Sequence, residues 1–212
     1  MLYDDCHINT PPAGFPFPGF PIPFAGALRM TSDSTRADAA ARDATAFSPS
    51  TDANRAARRE PSLVDQTGAG LDGLAQLRAL LASGRKPGIL VSLDFDFVEA
   101  EEGLAVFAGT PGPHAYNPIG TVHGGYAATL LDSACGCAVH SRLSAEQAYT
   151  TLELKVAYHK AITRHSGRLR AEGRVLSFGQ RVAYAEAKLT DADGRLLASA
   201  TSTLLVFARP PA

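Results

Sequence analysis

One segment constrains this chain more than any other. Residues 124–139 are rich in Ala, Leu and Cys, contain no proline, and carry a single charged side chain, Asp132. The run is too long for a strand, and it is apolar on every side. That predicts a helix buried all round rather than along one stripe. Such a helix needs other elements to wrap it.

The segments around it read as those elements. Residues 89–98 and 104–108 are apolar and β-rich, with a turn over 99–103. Residues 151–158 alternate: Leu152, Leu154, Val156 and Tyr158 fall on one side, and Thr151, Glu153 and Lys155 on the other. Two further strands over 168–176 and 181–189 are separated by Ser177-Phe178-Gly179-Gln180. The turn Asp191-Ala192-Asp193-Gly194 then leads into a last strand over 196–207. Four strands with short connections predict an antiparallel meander. The fold class expected is α+β, an antiparallel sheet curved around one long helix. Upstream, Leu71, Leu74, Leu77, Leu80 and Leu81 recur at helical spacing. Gly84 and Pro87 supply a stop, predicting a short helix over 71–84.

Before residue 71 the chain changes character. Residues 11–23 hold six of the 14 prolines, and residues 15–24 hold four of the ten phenylalanines. Residues 31–60 contain no Ile, Leu or Val, too little apolar area to offset chain entropy. Residues 1–70 are therefore expected to be a tail, Pro/Phe-rich and then Ala/Asp/Arg-rich, and residues 71–212 a single domain. The formal net charge of −1 argues against a nucleic-acid partner. No apolar run reaches about 20 residues, so no membrane partner is expected. Three cysteines, an odd number, and the lack of a secretory signal point to a cytoplasmic setting.

Candidate chemistry gathers around the long helix. A carboxylate buried without a partner is expensive, so Asp132 must be hydrogen-bonded, protonated or facing a pocket. The loop Asn117-Pro118-Ile119-Gly120-Thr121-Val122-His123 enters the helix through Gly124-Gly125. Free amides at that entry, aided by the helix dipole, suit a developing oxyanion. Asp132 lies two turns beyond Gly125 on the same face, so oxyanion site and carboxylate are expected to address one groove. A satisfied core Asp and a capping His remain the plain alternative.

These residues carry a resemblance. Asn117, Gly120, His123-Gly124-Gly125 and Thr129-Leu130-Leu131-Asp132 resemble, without a gap, the signature of PaaI-type hotdog-fold acyl-CoA thioesterases. The likeness covers about residues 89–207. It implies a homodimer or homotetramer with active sites at subunit interfaces, an acyl-CoA substrate with an aromatic or medium-chain acyl group, and no cofactor. It also implies that Asp132 is the catalytic base or nucleophile and that the Gly124 amide is the oxyanion donor. Asn117 and His123 would orient the thioester or the water. A Ser or Thr on the strand after the helix would position the water from the partner subunit. Counting back from Tyr158 selects Thr151, and counting forward from Asp132 selects Thr150. Gly125 and Tyr126 would contact substrate, with Leu130 and the Phe95–Phe97 region completing an apolar wall. Arg164, Arg168, Arg170, Arg174 and Arg181 either meet the CoA phosphates or form the solvated side of a sheet. Arg181 is the best single candidate.

Other signals are set aside. Gly68-Ala69-Gly70-Leu71-Asp72-Gly73 matches G-x-G-x-x-G but follows no strand. No metal site is expected: Cys135 and Cys137 point different ways on a helix, and no His-x-x-x-His pair occurs. There is no G-x-S-x-G elbow. Two rival functions remain: an acyl-CoA-binding protein without turnover, and an acyl-CoA hydratase or dehydratase. The second is disfavoured because His123 precedes Asp132.

Overall fold

The apolar run does form one helix, Gly124–His140, in a computed structural model that describes residues 62–209. The Pro/Phe-rich stretch and the segment 31–60 lie outside the described residues, as does Cys6. Three shorter helices come first: α1 (Leu63–Gly68), α2 (Gly73–Ser83) and α3 (Gly88–Ser92). The long helix is α4. The strands are β1 (Phe95–Glu101), β2 (Leu104–Gly109), β3 (Gln147–Tyr158), β4 (Leu169–Phe178), β5 (Val182–Thr190) and β6 (Leu196–Ala208). They form one antiparallel sheet in the order β1-β2-β4-β5-β6-β3.

The sheet wraps α4, which packs on β2, β4, β5, β6 and β3. Leu130, Leu131, Ala134, Cys135, Ala138 and Val139 of α4 are fully buried. On β5 the inward positions are Ala183, Ala185, Ala187 and Leu189, a period-2 pattern set mostly by alanine. Small side chains on both surfaces let the helix lie close to the sheet. Gly173 on β4 is the tightest point: a Cβ there would sit 2.3 Å from the Ala134 carbonyl carbon and oxygen.

Two expectations are corrected, and two element boundaries are adjusted. Residues 89–98 are not one strand, because Gly88–Ser92 turns as α3 and β1 begins only at Phe95. The four late strands are not a simple meander. β4, β5 and β6 run in sequence, but β3 pairs with β6 at the far edge and β4 pairs with β2. The helix predicted over 71–84 spans Gly73–Ser83, capped by the Asp72 carboxylate at Ala75 N–H and by a left-handed Gly84. Finally, α1 lies within the segment read as tail, with Ser62 as its N-cap.

α2 is fastened to the end of α4. Gly73 N–H donates to the Leu143 carbonyl at 2.9 Å. His140 and Gln76, both buried, share a 2.9 Å hydrogen bond between Nε2 and Oε1. A Cβ on Gly73 would overlap the His140 carbonyl oxygen, so only glycine allows this approach. Together α2 and α3 pack on β1. The opposite edge strand, β3, has no strand beyond it among the described residues.

Candidate active site

Asp132 is half-buried on α4, and Thr151 Oγ1 on β3 donates to its Oδ1 at 3.2 Å. A β-bulge makes this contact possible. Thr151 pairs with Leu204 and Glu153 with Thr203, so Leu152 is an extra residue in the β3–β6 ladder. The bulge switches the inward face of β3 from Tyr149 and Thr151 to Leu154 and Val156, four of the partly buried positions of the strand. Strict alternation would have put Thr151 and Leu154 on opposite faces. Leu152, expected on the buried side, is 58% exposed instead. Thr150 is exposed and pairs with Leu205. The structure therefore puts Thr151, not Thr150, at Asp132.

The Asp132–Thr151 pair lies on the wall of a cavity of about 460 Å³. Ser133, Gly136 and Cys137 of α4 continue that wall, with Tyr149 from β3 and Phe97 and Phe107 from β1 and β2. Burial pushes the Tyr149 phenol well above its usual value. Burial, reinforced by the Asp132 charge, pushes the Cys137 thiol up to about 12. Cys135 is also pushed to about 12, chiefly by burial. Both thiols stay protonated, the state that neither attacks carbon nor binds metal readily.

The loop before α4 is built by its own hydrogen bonds. Asn117 Nδ2 donates to Thr121 Oγ1 at 3.1 Å, and Asn117 Oδ1 accepts from Ile119 N–H at 3.1 Å. Gly120 completes the turn at φ 83°, a conformation glycine adopts without strain. His123 N–H donates to the Ala115 carbonyl at 2.7 Å, and Val122 N–H to Ile162 at 3.0 Å. His123 then caps α4: its Nδ1 accepts from Gly125 N–H at 2.9 Å. Accepting at Nδ1 assigns the ring proton of the neutral imidazole to Nε2. The Gly125 amide is thereby occupied, which narrows the expected pair of free amides to one. Gly124 N–H has no acceptor among the described residues. The Gly124 carbonyl accepts from Tyr158 Oη at 2.9 Å. Gly124 and Tyr158 line a second cavity of about 300 Å³ with Val122, His159, Lys160, Ala161 and Ile162.

The sequence placed donor and carboxylate on one groove. The structure separates them. Gly124 and Asp132 are eight residues apart, about 12 Å along the helix, and they open into different cavities. One chain thus presents the carboxylate and the free amide in two separate cavities.

Three further expectations change. Tyr126 is not a substrate wall: it is 3% exposed and packs edge-on against Phe95 at 6.3 Å. Its hydroxyl is buried without a hydrogen-bond partner, and burial pushes the phenol to about 12. Leu130 and Phe95 are likewise core, leaving Phe97 as the part of that wall that reaches the cavity. The arginine row is mainly a paired surface: Arg168 meets Asp96, Arg170 meets Glu99 and Glu172, and Arg174 meets Glu172. Arg181 is exposed, has no ion pair among the described residues, and lines neither cavity. Sequence reasoning missed Tyr149, Phe107 and the α2–α3 residues of the larger cavity. Tyr149 stood two residues from Thr151, the spacing that shares a strand face.

A long helix wrapped by an antiparallel sheet is the hotdog fold. A family profile described as Thioesterase superfamily matches residues 119–198. A solved Bordetella protein of that superfamily is 33% identical, covering 56% of this chain and 89% of its own, with a TM-score of 0.50. This chain belongs to the thioesterase superfamily. A thioesterase family protein from Silicibacter pomeroyi is 26% identical, covering 63% of this chain and 96% of its own, TM-score 0.55. A Streptococcus mutans protein solved bound to acetyl-CoA is 26% identical, covering 55% and 91%, TM-score 0.50. No curated protein matches the sequence.

Proposed function

We propose that this chain is a PaaI-type enzyme that hydrolyses an acyl-CoA thioester to the free acid and CoA. The observation that carries the reading is the Thr151–Asp132 pair at 3.2 Å on the wall of an apolar cavity. A free helix-entry amide at Gly124 complements it, and the S. mutans relative bound to acetyl-CoA supports the ligand class.

Among the described residues, no donor uses the second oxygen of Asp132. That oxygen and the Thr151 hydroxyl hold a water. Asp132 takes its proton as the water oxygen bonds to the thioester carbon. The carbonyl oxygen, now an oxyanion, accepts from Gly124 N–H. Collapse breaks the C–S bond, and the proton on Asp132 passes to the departing thiolate. Asn117 acts as a positioning residue, holding the loop that aims the Gly124 amide. His123 fixes the first turn of α4 and keeps Nε2–H for the ligand. No step uses a metal.

A carbonyl cannot touch groups 12 Å apart, so the two halves come from two copies of the chain. β3 supports this: it is a long edge strand whose outer side has no partner among the described residues, with Leu152 and Tyr158 58% and 55% exposed. Edges of that kind call for a partner. An antiparallel β3–β3 pairing with its two-fold axis between Leu154 and Lys155 would set Thr151 of one copy opposite Tyr158 of the other, and so bring Asp132 toward the partner's oxyanion amide.

The test is CoA release read with a thiol-reactive dye over a panel of aromatic and straight-chain acyl-CoAs. Turnover by wild type, with a loss of about 10²-fold or more in a folded Asp132→Asn variant, supports hydrolysis. Tight binding without turnover refutes it in favour of a binding protein.

A further inference from the structure

We infer that the acyl group enters the larger cavity beneath α2 and α3, and that this roof restricts the substrate to uncharged, apolar acyl groups. The inference deepens the proposed thioester reading and rests on it for the identity of the ligand.

Direction comes first. From Asp132 the cavity follows α4 through Ser133, Gly136 and Cys137 toward the helix C-terminus, away from Gly124. With the reacting carbonyl at Asp132, only one side of the thioester can extend there. The CoA side carries phosphates, which lose their hydration against Leu80, Leu90, Phe97 and Phe107, while the two cations of the wall, Arg85 and Lys86, are already engaged by Gln66 and Asp96. The acyl side has no such cost.

The roof comes next. Leu80 and Leu81 of α2, Pro87, and Ile89 and Leu90 of α3 close the cavity. All lie outside residues 119–198, the part the superfamily profile matches. The roof is fixed to the end of α4 by Gly73 and by the Gln76–His140 hydrogen bond. Opposite it, Phe97 stacks on Phe107 with ring centroids 4.7 Å apart. The flat apolar face of that pair suits a ring or a short alkyl chain.

Charge excludes the other substrates. Lys86 and Asp96 line the cavity but pair with each other at 2.5 Å, and Asp96 also meets Arg168. Arg85 donates to Gln66 Oε1 at 2.7 Å. Every cation on this wall already has a partner. A carboxylate at the far end of an acyl chain must displace Asp96 from Lys86 or Gln66 from Arg85, and it meets the like charges of Asp96 and Asp132 on the same wall.

The chain contains no tryptophan, which makes the test direct. Ile89 is half exposed, so Ile89→Trp installs a single fluorescent reporter in the roof without filling the core. In an Asp132→Asn background it is titrated with butyryl-, octanoyl-, benzoyl- and succinyl-CoA and with free CoA. Saturable emission changes with the three apolar acyl-CoAs, and none with succinyl-CoA or free CoA, are expected. An equal response to free CoA or succinyl-CoA overturns the inference. A flat response while the wild type hydrolyses acyl-CoA also overturns it and leaves the hydrolase reading standing. A response in a protein whose wild type never turns over sinks the hydrolase reading and keeps the cavity assignment. As a second measurement, Leu81→Trp should lower the octanoyl-to-butyryl ratio of kcat/KM about tenfold or more. An unchanged ratio overturns the role of the roof.

Discussion

Replacing Gly124 by proline removes one hydrogen atom of interest and little else. Gly124 is the first residue of α4, the position where proline is tolerated because the N–H has no partner within the helix. His123 before it has φ −64° and ψ 134°, the extended conformation that a residue preceding proline takes. No acceptor among the described residues uses the Gly124 N–H, so no native hydrogen bond is lost. The new Cβ meets the Tyr158 ring at 3.1 Å, and the 55% exposed ring can shift by the few tenths of an ångström needed. Gly124→Ala adds the same Cβ and keeps the N–H, so the difference between the two variants isolates the donor. Fold stability should differ between them by about 1 kcal/mol or less. Loss of one oxyanion donor should cost about 10²–10³-fold in kcat, or about 2.7–4 kcal/mol of transition-state stabilisation. Thermal melts check the first figure, and CoA release at saturating acyl-CoA checks the second. A proline variant as active as the alanine variant would refute the assignment of the oxyanion donor.

Three other outcomes are expected. Co-expressing Asp132→Asn with Gly124→Pro chains should restore about a quarter of wild-type activity, since half of randomly mixed dimers are hybrids with one intact site of two; no recovery over the separate variants would place both groups in one chain. Gly173→Ala should destabilise by about 3 kcal/mol or prevent folding, because its Cβ overlaps the Ala134 backbone, as chemical denaturation would show. The third concerns His140, which burial pushes from 6.5 down to about 4, with Arg209 adding to the effect and Asp65 opposing it. The unfolded chain binds this proton before the folded one, so the contribution is whole above pH 6.5. It is lost as pH falls toward 4, by about 3 kcal/mol in full; denaturation midpoints should fall more steeply over that window in wild type than in His140→Gln, and parallel curves would contradict it.

The long helix, the strands from 104 onward, and the pairing of a glycine-rich helix entry with Asp132 could be read directly. Each is a local pattern: an unbroken apolar run, period-2 alternation, and residue types at fixed spacing. The α3 turn was hidden because Ile89, Leu90 and Val91 suit a strand as well as a helix, and only packing on β1 decides. The bulge at Leu152 was hidden for a similar reason. Alternation predicts faces only while the ladder keeps register, and the partner strand β6 lies some fifty residues away.

By itself, then, the sequence determined which helix is buried, that a sheet must wrap it, and which residues gather at its entry and middle. Tertiary structure decided the rest. It moved β3 to the free edge, turned Thr151 toward Asp132, sent Tyr126 into the core, and laid α2 and α3 over a cavity. It also set the Gly124 amide and Asp132 in separate cavities, although the sequence sets the helix entry at Gly125 and Asp132 on one helix face. The physical reason is that periodicity records direction around an axis, whereas a reaction depends on distance in space. Distances between elements follow from packing that no local spacing contains.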